Sequence, residues 1–430
     1  MYTLDTESKM TLHKIFKSRF IKDVSTLTIG TTIAQFLPMA IYPILGRLYT
    51  PESFAALAAF TSLISVLQVL GSGKYENAIL IAKDDTKAAN LFCLSNLCCA
   101  FLIILIYIVL YFFGTGFTYR YSSGLGELIW LVPLGALLLN VFTCYNEWCV
   151  RKQYYKKLAI NKITNSVAIA AGKYGTFYTV FQTIGLTLGD FIGRFISAIG
   201  CVIRLCIHDK ESFSQVSFKG IKGQAKEHVR FPIYTMPAQL MNSVAAASPV
   251  FILNYYYSSE VVGYFSMTMS ILLLPVNVIS YAVRDVFRKK VNDLYLQDGR
   301  FDALYRKILF ALLALTAIAC VLVAPFLPWL FGVVLGSKWF VAGQYSQILL
   351  PMIGLDFVAM SLSGVLIVTQ KLRQLFLWQL YFCAATIVSL FITSLLGLSI
   401  TTTLAVFGIA RLTAYILLIK ISYNYSKGIK

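Results

Sequence analysis

Twelve stretches of this chain are long and apolar enough to cross a bilayer, and short polar breaks separate them. They fall near residues 24–46, 53–72, 88–113, 127–150, 158–180, 183–207, 231–256, 258–283, 305–331, 341–368, 371–396 and 399–422. A spanning helix needs about 20 predominantly apolar residues. In lipid every backbone polar group must be bonded internally, which a helix does within its own segment. The pattern therefore predicts an all-α membrane protein of about twelve transmembrane helices. Composition agrees: 58% of residues are hydrophobic, 13% are charged and the mean hydropathy is +0.72. Soluble domains carry about 25% charged residues, so a single water-soluble core is excluded. Pro38, Pro133, Pro237, Pro249, Pro275 and Pro351 lie within the runs and predict kinks, because neighbouring helices re-satisfy the freed carbonyls. The first run is too long for a signal-peptide core and has no small-residue cleavage site before it ends, so an uncleaved first helix is expected.

Lysine and arginine set the orientation. Of the 37, 31 fall on one side of the alternating runs. Arg47, Arg120 and Lys338 fall on the other, and Lys173, Arg194 and Arg411 lie inside runs. Cytoplasmic loops carry the positive excess, so both termini are expected in the cytoplasm. The same asymmetry accounts for the net charge of +18 without nucleic acid, since basic loops sit beside anionic headgroups. The segment from Arg284 to Lys307 reads as an interfacial amphipathic helix.

The nine cysteines lie in apolar runs with no CxxC spacing, and read as small buried hydrophobes. His13, His208 and His228 are scattered in polar segments. No metal site and no cofactor are expected. There is no Walker loop, nucleophile elbow or HExxH, so the chain does not read as an enzyme.

The polar stretch after the sixth run divides the chain into an N-terminal six-helix lobe (1–207), a cytoplasmic linker (208–230) and a C-terminal six-helix lobe (231–430). An internal repeat supports the division. "LGRLYTPESFAALAAFTSLI", from Leu45, aligns without gaps on "LNYYYSSEVVGYFSMTMSIL", from Leu253. Leu45/Leu253, Tyr49/Tyr257, Glu52/Glu260 and Ser62/Ser270 are identical, and Thr50/Ser258 is similar. Both halves begin on the same side, a parallel repeat, and a midplane site between two such halves is one transporter plan.

The runs also hold charges. One at the bilayer centre costs about 2.5–3.5 kcal/mol on insertion scales, so it faces protein or water. Asp190 and Arg194 are four apart on one helix face and can pair. Lys173 precedes the turn between helices five and six by about as much as Asp190 follows it, which places the two at similar depth. Either the three form a buried ion cluster holding the helices together, or they give a water-filled cavity a fixed positive charge for an anionic cargo. Asp356 and Arg411 form a balanced second set in helices ten and twelve, read as structural pairing or as an ion-coupling carboxylate. Arg47 and Glu52 at an outer turn, and Glu76 and Glu147 near the inner surface, read as interfacial, with Arg47 also a candidate guard at an outward exit.

Three ordered segments carry a resemblance. They are "RLYTPESFAALAAFTSLISVLQVLGSGKYENAIL" from Arg47, "VGYFSMTMSILLLPVNVISYAVRDVF" from Val262 and "LFGVVLGSKWFVAGQYSQILLP" from Leu330. Together they resemble the first-hairpin tip, eighth helix and pre-helix-ten segment of the oligosaccharide-repeat or O-antigen flippases. Those belong to the multidrug/oligosaccharidyl-lipid/polysaccharide exporter superfamily. Lys74 stands where many relatives carry a basic residue, while Phe54 and Ala55 depart from a position often held by glycine.

The resemblance implies a two-lobed, alternating-access transporter of a bacterial inner membrane. It implies a cargo of undecaprenyl-diphosphate-linked oligosaccharide, passed from the cytoplasmic to the periplasmic leaflet. A polysaccharide polymerase and chain-length machinery are its implied partners, besides membrane lipid. A cationic cavity meeting the diphosphate makes Lys173, Arg194, Arg47 and Lys74 the candidate binding residues, with arginine suited to bidentate phosphate contact. Asp190, Asp356 and Arg411 are candidates for pairing or ion coupling. A multidrug exporter of the same superfamily is the main alternative, and a polysaccharide-processing membrane enzyme a weaker one. Three midmembrane cations against two anions favour anionic cargo over the cationic drugs of an exporter.

Overall fold

The computed structural model describes residues 30–121, 125–179 and 184–428. The expected start of the first helix, at residue 24, lies outside the described residues. The long helices are α1 (30–48), α2 (Pro51–Ser72), α3 (Asp85–Tyr121), α4 (Leu131–Arg151), α5 (Tyr155–Phe177) and α6 (Gly185–His208). They continue as α7 (Met236–Tyr256), α8 (Ser259–Asp298), α9 (Asp302–Val323), α10 (Phe340–Leu362), α11 (Leu372–Leu395) and α12 (Ile400–Ser426). No strand occurs among the described residues. Ten helices among them are long and apolar enough to cross a membrane. α5 has the length but is too polar, because Lys162, Asn165, Ser166 and Lys173 punctuate it.

Four boundaries differ from the sequence expectation, the first being α3, which runs past the expected end at 113 to Tyr121. α8 does not stop near residue 283 to yield an interfacial helix; it continues to Asp298. No breaker occurs before Gly299, at φ +67°, and the extension buries Phe287 and Val291 against Phe301 and Tyr305. The ninth run is cut at Ala324–Phe326, where Pro325 and Pro328 turn the chain into a short helix, Leu327–Leu335. α10 ends at Leu362, and a separate short helix, Val365–Val368, follows. The stretch from 208 to 230 is not a bare tether. It forms two short helices, Lys210–Ser214 and Phe218–Glu227, that pack against α3.

α3–α6 pack among themselves and on α2, α7–α12 pack mainly among themselves, and α2 joins the halves by packing on both α7 and α8. The repeat has a structural counterpart. Thr50 caps α2 by accepting from the Ser53 amide, and Ser258 caps α8 by accepting from the Val261 amide. The Tyr49 hydroxyl donates to the Lys173 carbonyl at 2.8 Å, at the end of α5. The Tyr257 hydroxyl donates to the Leu398 carbonyl at 2.9 Å, in the turn between α11 and α12. Equivalent tyrosines thus fasten equivalent hairpins in the two halves.

α5 and α6 approach most closely at glycine. A Cβ added at Gly172 would lie 2.3 Å from the Gly189 carbonyl oxygen, and one at Gly193 would lie 2.4 Å from the Ile169 Cα. Backbone cannot yield as a side-chain tip can, so overpacking here costs at least the usual 1–3 kcal/mol or so. Gly172→Ala is expected to lower the yield of monodisperse protein on fluorescence-detected size exclusion. Gly175→Ala, where no atom lies within 4 Å, is expected to match wild type or improve on it.

Candidate functional site

A cavity of about 770 Å³ lies between the halves, walled by α1, α2, α5 and α6 on one side and α7, α8, α10, α11 and α12 on the other. Its size is within the range of small-molecule sites. Lys173, Asp190, Arg194, Asp356 and Arg411 all line it. Five charged groups from α5, α6, α10 and α12 thus meet one cavity. Arg194 lies nine residues into α6 and Arg411 eleven into α12, about 14 and 16 Å along the axes at 1.5 Å per residue. That is roughly half the ~30 Å hydrocarbon core.

In the first half one carboxylate holds both cations. Lys173 Nζ lies 3.0 Å from Asp190 Oδ1, and Arg194 Nε lies 2.6 Å from Asp190 Oδ2. The Asp190 side chain is 3% exposed, Lys173 14% and Arg194 18%. The pairing reading of this set holds for both cations, and the three side chains together carry one net positive formal charge on the cavity wall. The α5–α6 glycine contact makes this possible, since Gly172 adjoins Lys173 and Gly189 adjoins Asp190.

The second half is built differently. Arg411 makes no ion pair among the described residues. It donates from Nη2 to the Tyr415 hydroxyl at 2.7 Å, and its guanidinium stands 4.7 Å from the centre of the Phe382 ring and 5.5 Å from that of Phe407. Asp356 is 7% exposed and also neighbours Tyr415. Asp356 Oδ1 and Arg411 Nε have no hydrogen-bond partner. The pairing read from sequence is thus routed through a tyrosine rather than formed directly.

Arg47 and Lys74 do not line the cavity. Arg47 donates from Nη2 to the Val333 carbonyl at 3.0 Å. Around it, Lys338 Nζ reaches the carbonyls of Tyr49 at 2.6 Å and Arg47 at 3.3 Å, and Trp339 Nε1 reaches that of Gly46 at 2.8 Å. Phe54 stacks edge-on against Trp339 at 5.1 Å. These contacts strap the α1–α2 turn to the chain before α10. Lys74 turns away into a buried network: its Nζ lies 3.0 Å from Glu76 Oε1, which also accepts from Gln68 at 3.1 Å and Ser72 at 3.3 Å. Glu76 is fully buried rather than interfacial, a correction to the sequence reading.

Sequence reasoning missed several wall residues, among them Asn165, Asn242, Trp378, Gln379 and Tyr415. Gln379 and Asn242 carried a weak signal, as amides within apolar runs. Trp378 and Tyr415 carried none, because an aromatic in a membrane helix is as readily lipid-facing.

The Asp190 cluster makes an asymmetric prediction about stability. Asp190→Ala leaves two cations side by side with no counter-charge, and breaking a buried pair costs about 3–5 kcal/mol. Arg194→Ala leaves Asp190 bonded to Lys173. Thermal unfolding in detergent should show a large loss of Tm for the first and a small one for the second.

A family model described as polysaccharide biosynthesis protein matches residues 44–344. No curated protein matches the sequence. Among solved structures, a lipid II flippase, MurJ, in an inward closed conformation is similar at a TM-score of 0.71 and 13% identity, covering 93% of this chain and 89% of that one. A multidrug resistance MATE family transporter of the MOP superfamily, inward-facing, is similar at 0.70 and 15%, covering 90% and 93%. A MOP superfamily transporter from Pyrococcus furiosus, described as having a binding pocket of reverse polarity, gives 0.61 and 13%, covering 93% and 94%. At these identities the likeness is one of fold.

Proposed function

The chain belongs to the polysaccharide biosynthesis protein family, and on that footing we propose that it flips undecaprenyl-diphosphate-linked oligosaccharide across a bacterial inner membrane. The cargo is an O-antigen or capsule repeat unit, received at the cytoplasmic leaflet and released at the periplasmic one. The observation that carries this reading is the cavity wall, where three cations outnumber two carboxylates. A diphosphate is drawn to a fixed net positive charge in a low-dielectric site, and arginine can meet it with two hydrogen bonds. Charges so expensive in lipid are held where they meet cargo.

The mechanism follows from the two ends. With both termini in the cytoplasm, the strap of Arg47, Lys338 and Trp339 faces the periplasm. In this reading the strap is the outward closure, and cargo loads from the cytoplasmic side. Residues 1–207 and 231–430 act as the two lobes, and 208–230 links them. Diphosphate binding beside Lys173 and Arg194 competes with Asp190 for the same donors and loosens the cluster. Lys173 is also tied by its carbonyl to Tyr49, next to the strap, so cargo and closure share one residue. The chain supplies position and electrostatics and no covalent chemistry.

The multidrug transporter is as similar in fold as the lipid II flippase, so fold does not separate the two activities. Family membership and the sign of the cavity favour the flippase. Deletion of the gene is expected to abolish surface glycan and accumulate lipid-linked repeat units on the inner leaflet, with wild type restoring both. Arg194→Ala is expected to fail in complementation at near-normal membrane abundance. Drug hypersensitivity with intact glycan would favour the exporter, and abundance falling in step with transport would make Arg194 structural.

A further inference from the structure

We propose that the second half of the cavity carries a glycan subsite, built on Asp356 and Arg411, separate from the phosphate-binding cluster of the first half. The inference rests on the flippase reading and deepens it. In the first half, every charged group on the wall is satisfied by another: Asp190 occupies both Lys173 and Arg194. In the second half, opposite charges line the same cavity and are not bonded to each other. Asp356 Oδ1, on a side chain 7% exposed, has no partner, and Arg411 Nε has none. A buried polar atom without a partner is costly, so such a pair marks a place where a ligand completes the bonding.

The two unpartnered atoms, Asp356 Oδ1 and Arg411 Nε, define the ligand by its chemistry. Ionised aspartate only accepts hydrogen bonds, and arginine only donates them. A free anion gains from Arg411 and is repelled by Asp356. A free cation gains from Asp356 and is repelled by Arg411. A neutral polyol suffers neither penalty, because each hydroxyl both donates and accepts. Two hydroxyls of one sugar ring can bond Asp356 and Arg411 together. The surroundings fit that occupant: Trp378 and Phe382 line the same wall from α11, and Gln379 adds an amide with one acceptor and two donors. Arg411 cannot collapse onto Asp356, since Phe382, Phe407 and Tyr415 hold its guanidinium. The cargo's diphosphate then lies against α5 and α6, and its sugars against α10, α11 and α12.

The test uses purified full-length protein in lipid nanodiscs and two probes. One is undecaprenyl diphosphate; the other is the undecaprenyl-diphosphate-linked glycan extracted from cells deleted for this protein. Asp356→Asn is expected to weaken the glycan-bearing lipid about tenfold, the value of one hydrogen bond to a charged group, and to leave the bare diphosphate within about twofold. Gln379→Ala keeps both charges and should show a smaller loss confined to the glycan-bearing lipid. Arg194→Ala should weaken both lipids alike. If Asp356→Asn and Gln379→Ala leave glycan binding unchanged, or weaken both probes equally, the subsite is refuted. Wild type binding both probes with equal affinity refutes the subsite and leaves the flippase reading standing. Wild type binding neither overturns the flippase reading and the subsite with it.

Discussion

One carboxylate shared by two cations is the interaction on which this fold turns. Asp190 sits inside a helix long and apolar enough to cross a membrane, where a lone charge is costly and must be compensated. Lys173 and Arg194 supply that compensation at 3.0 and 2.6 Å, and together exceed it by one charge. The cluster is therefore both a tie between α5 and α6 and a source of positive potential in the cavity. It demands close helices, and glycine at 172, 189 and 193 provides them. A fold that merely sought stability would do as well with packed apolar residues at these places, because buried ion pairs seldom outperform them. Keeping the charge makes sense if something anionic visits.

The two halves share a plan and differ in chemistry. Thr50 and Ser258 cap equivalent helices, and Tyr49 and Tyr257 tie equivalent hairpins. Arg194 and Arg411 project from the sixth helix of each half at similar depth. Yet Arg194 is bonded to a carboxylate, while Arg411 is caged by rings and bonded to a tyrosine. A repeat that keeps its frame and changes its lining can present two different surfaces to one elongated cargo. Such a division suits a molecule with a charged diphosphate at one end and neutral sugar at the other.

The helices were legible in the sequence because lipid makes the rule simple: about 20 apolar residues, then a polar break. The rule fails where a helix leaves the membrane, and so the extension of α8 past residue 283 went unread. Its buried face, Phe287 and Val291, is sparse within a basic segment and is completed only by Phe301 and Tyr305 across the turn. The cavity charges were legible because their cost singles them out. Arg47 and Lys74 were assigned to the cavity through family likeness, and neither lines it. Their partners, Val333 and Glu76, lie 286 and 2 residues away. The first distance defeats any local reading. The second was in plain view, but nothing in a short polar turn says that Glu76 is buried beneath Gln68 and Ser95. Trp378 and Tyr415 were illegible for another reason, since sequence does not tell a cavity-facing aromatic from a lipid-facing one.

The claim beneath all of this is that the mid-membrane charge exists to meet a diphosphate. Binding of undecaprenyl diphosphate and of undecaprenol to the purified protein, compared in nanodiscs by native mass spectrometry, tests it without reference to sugar. The account predicts retention of the diphosphate, displacement of it by added inorganic pyrophosphate, and no specific retention of the alcohol. Equal retention of both lipids, indifferent to pyrophosphate, would mean that only the polyprenyl chain is recognised and that the charged cavity serves some other purpose.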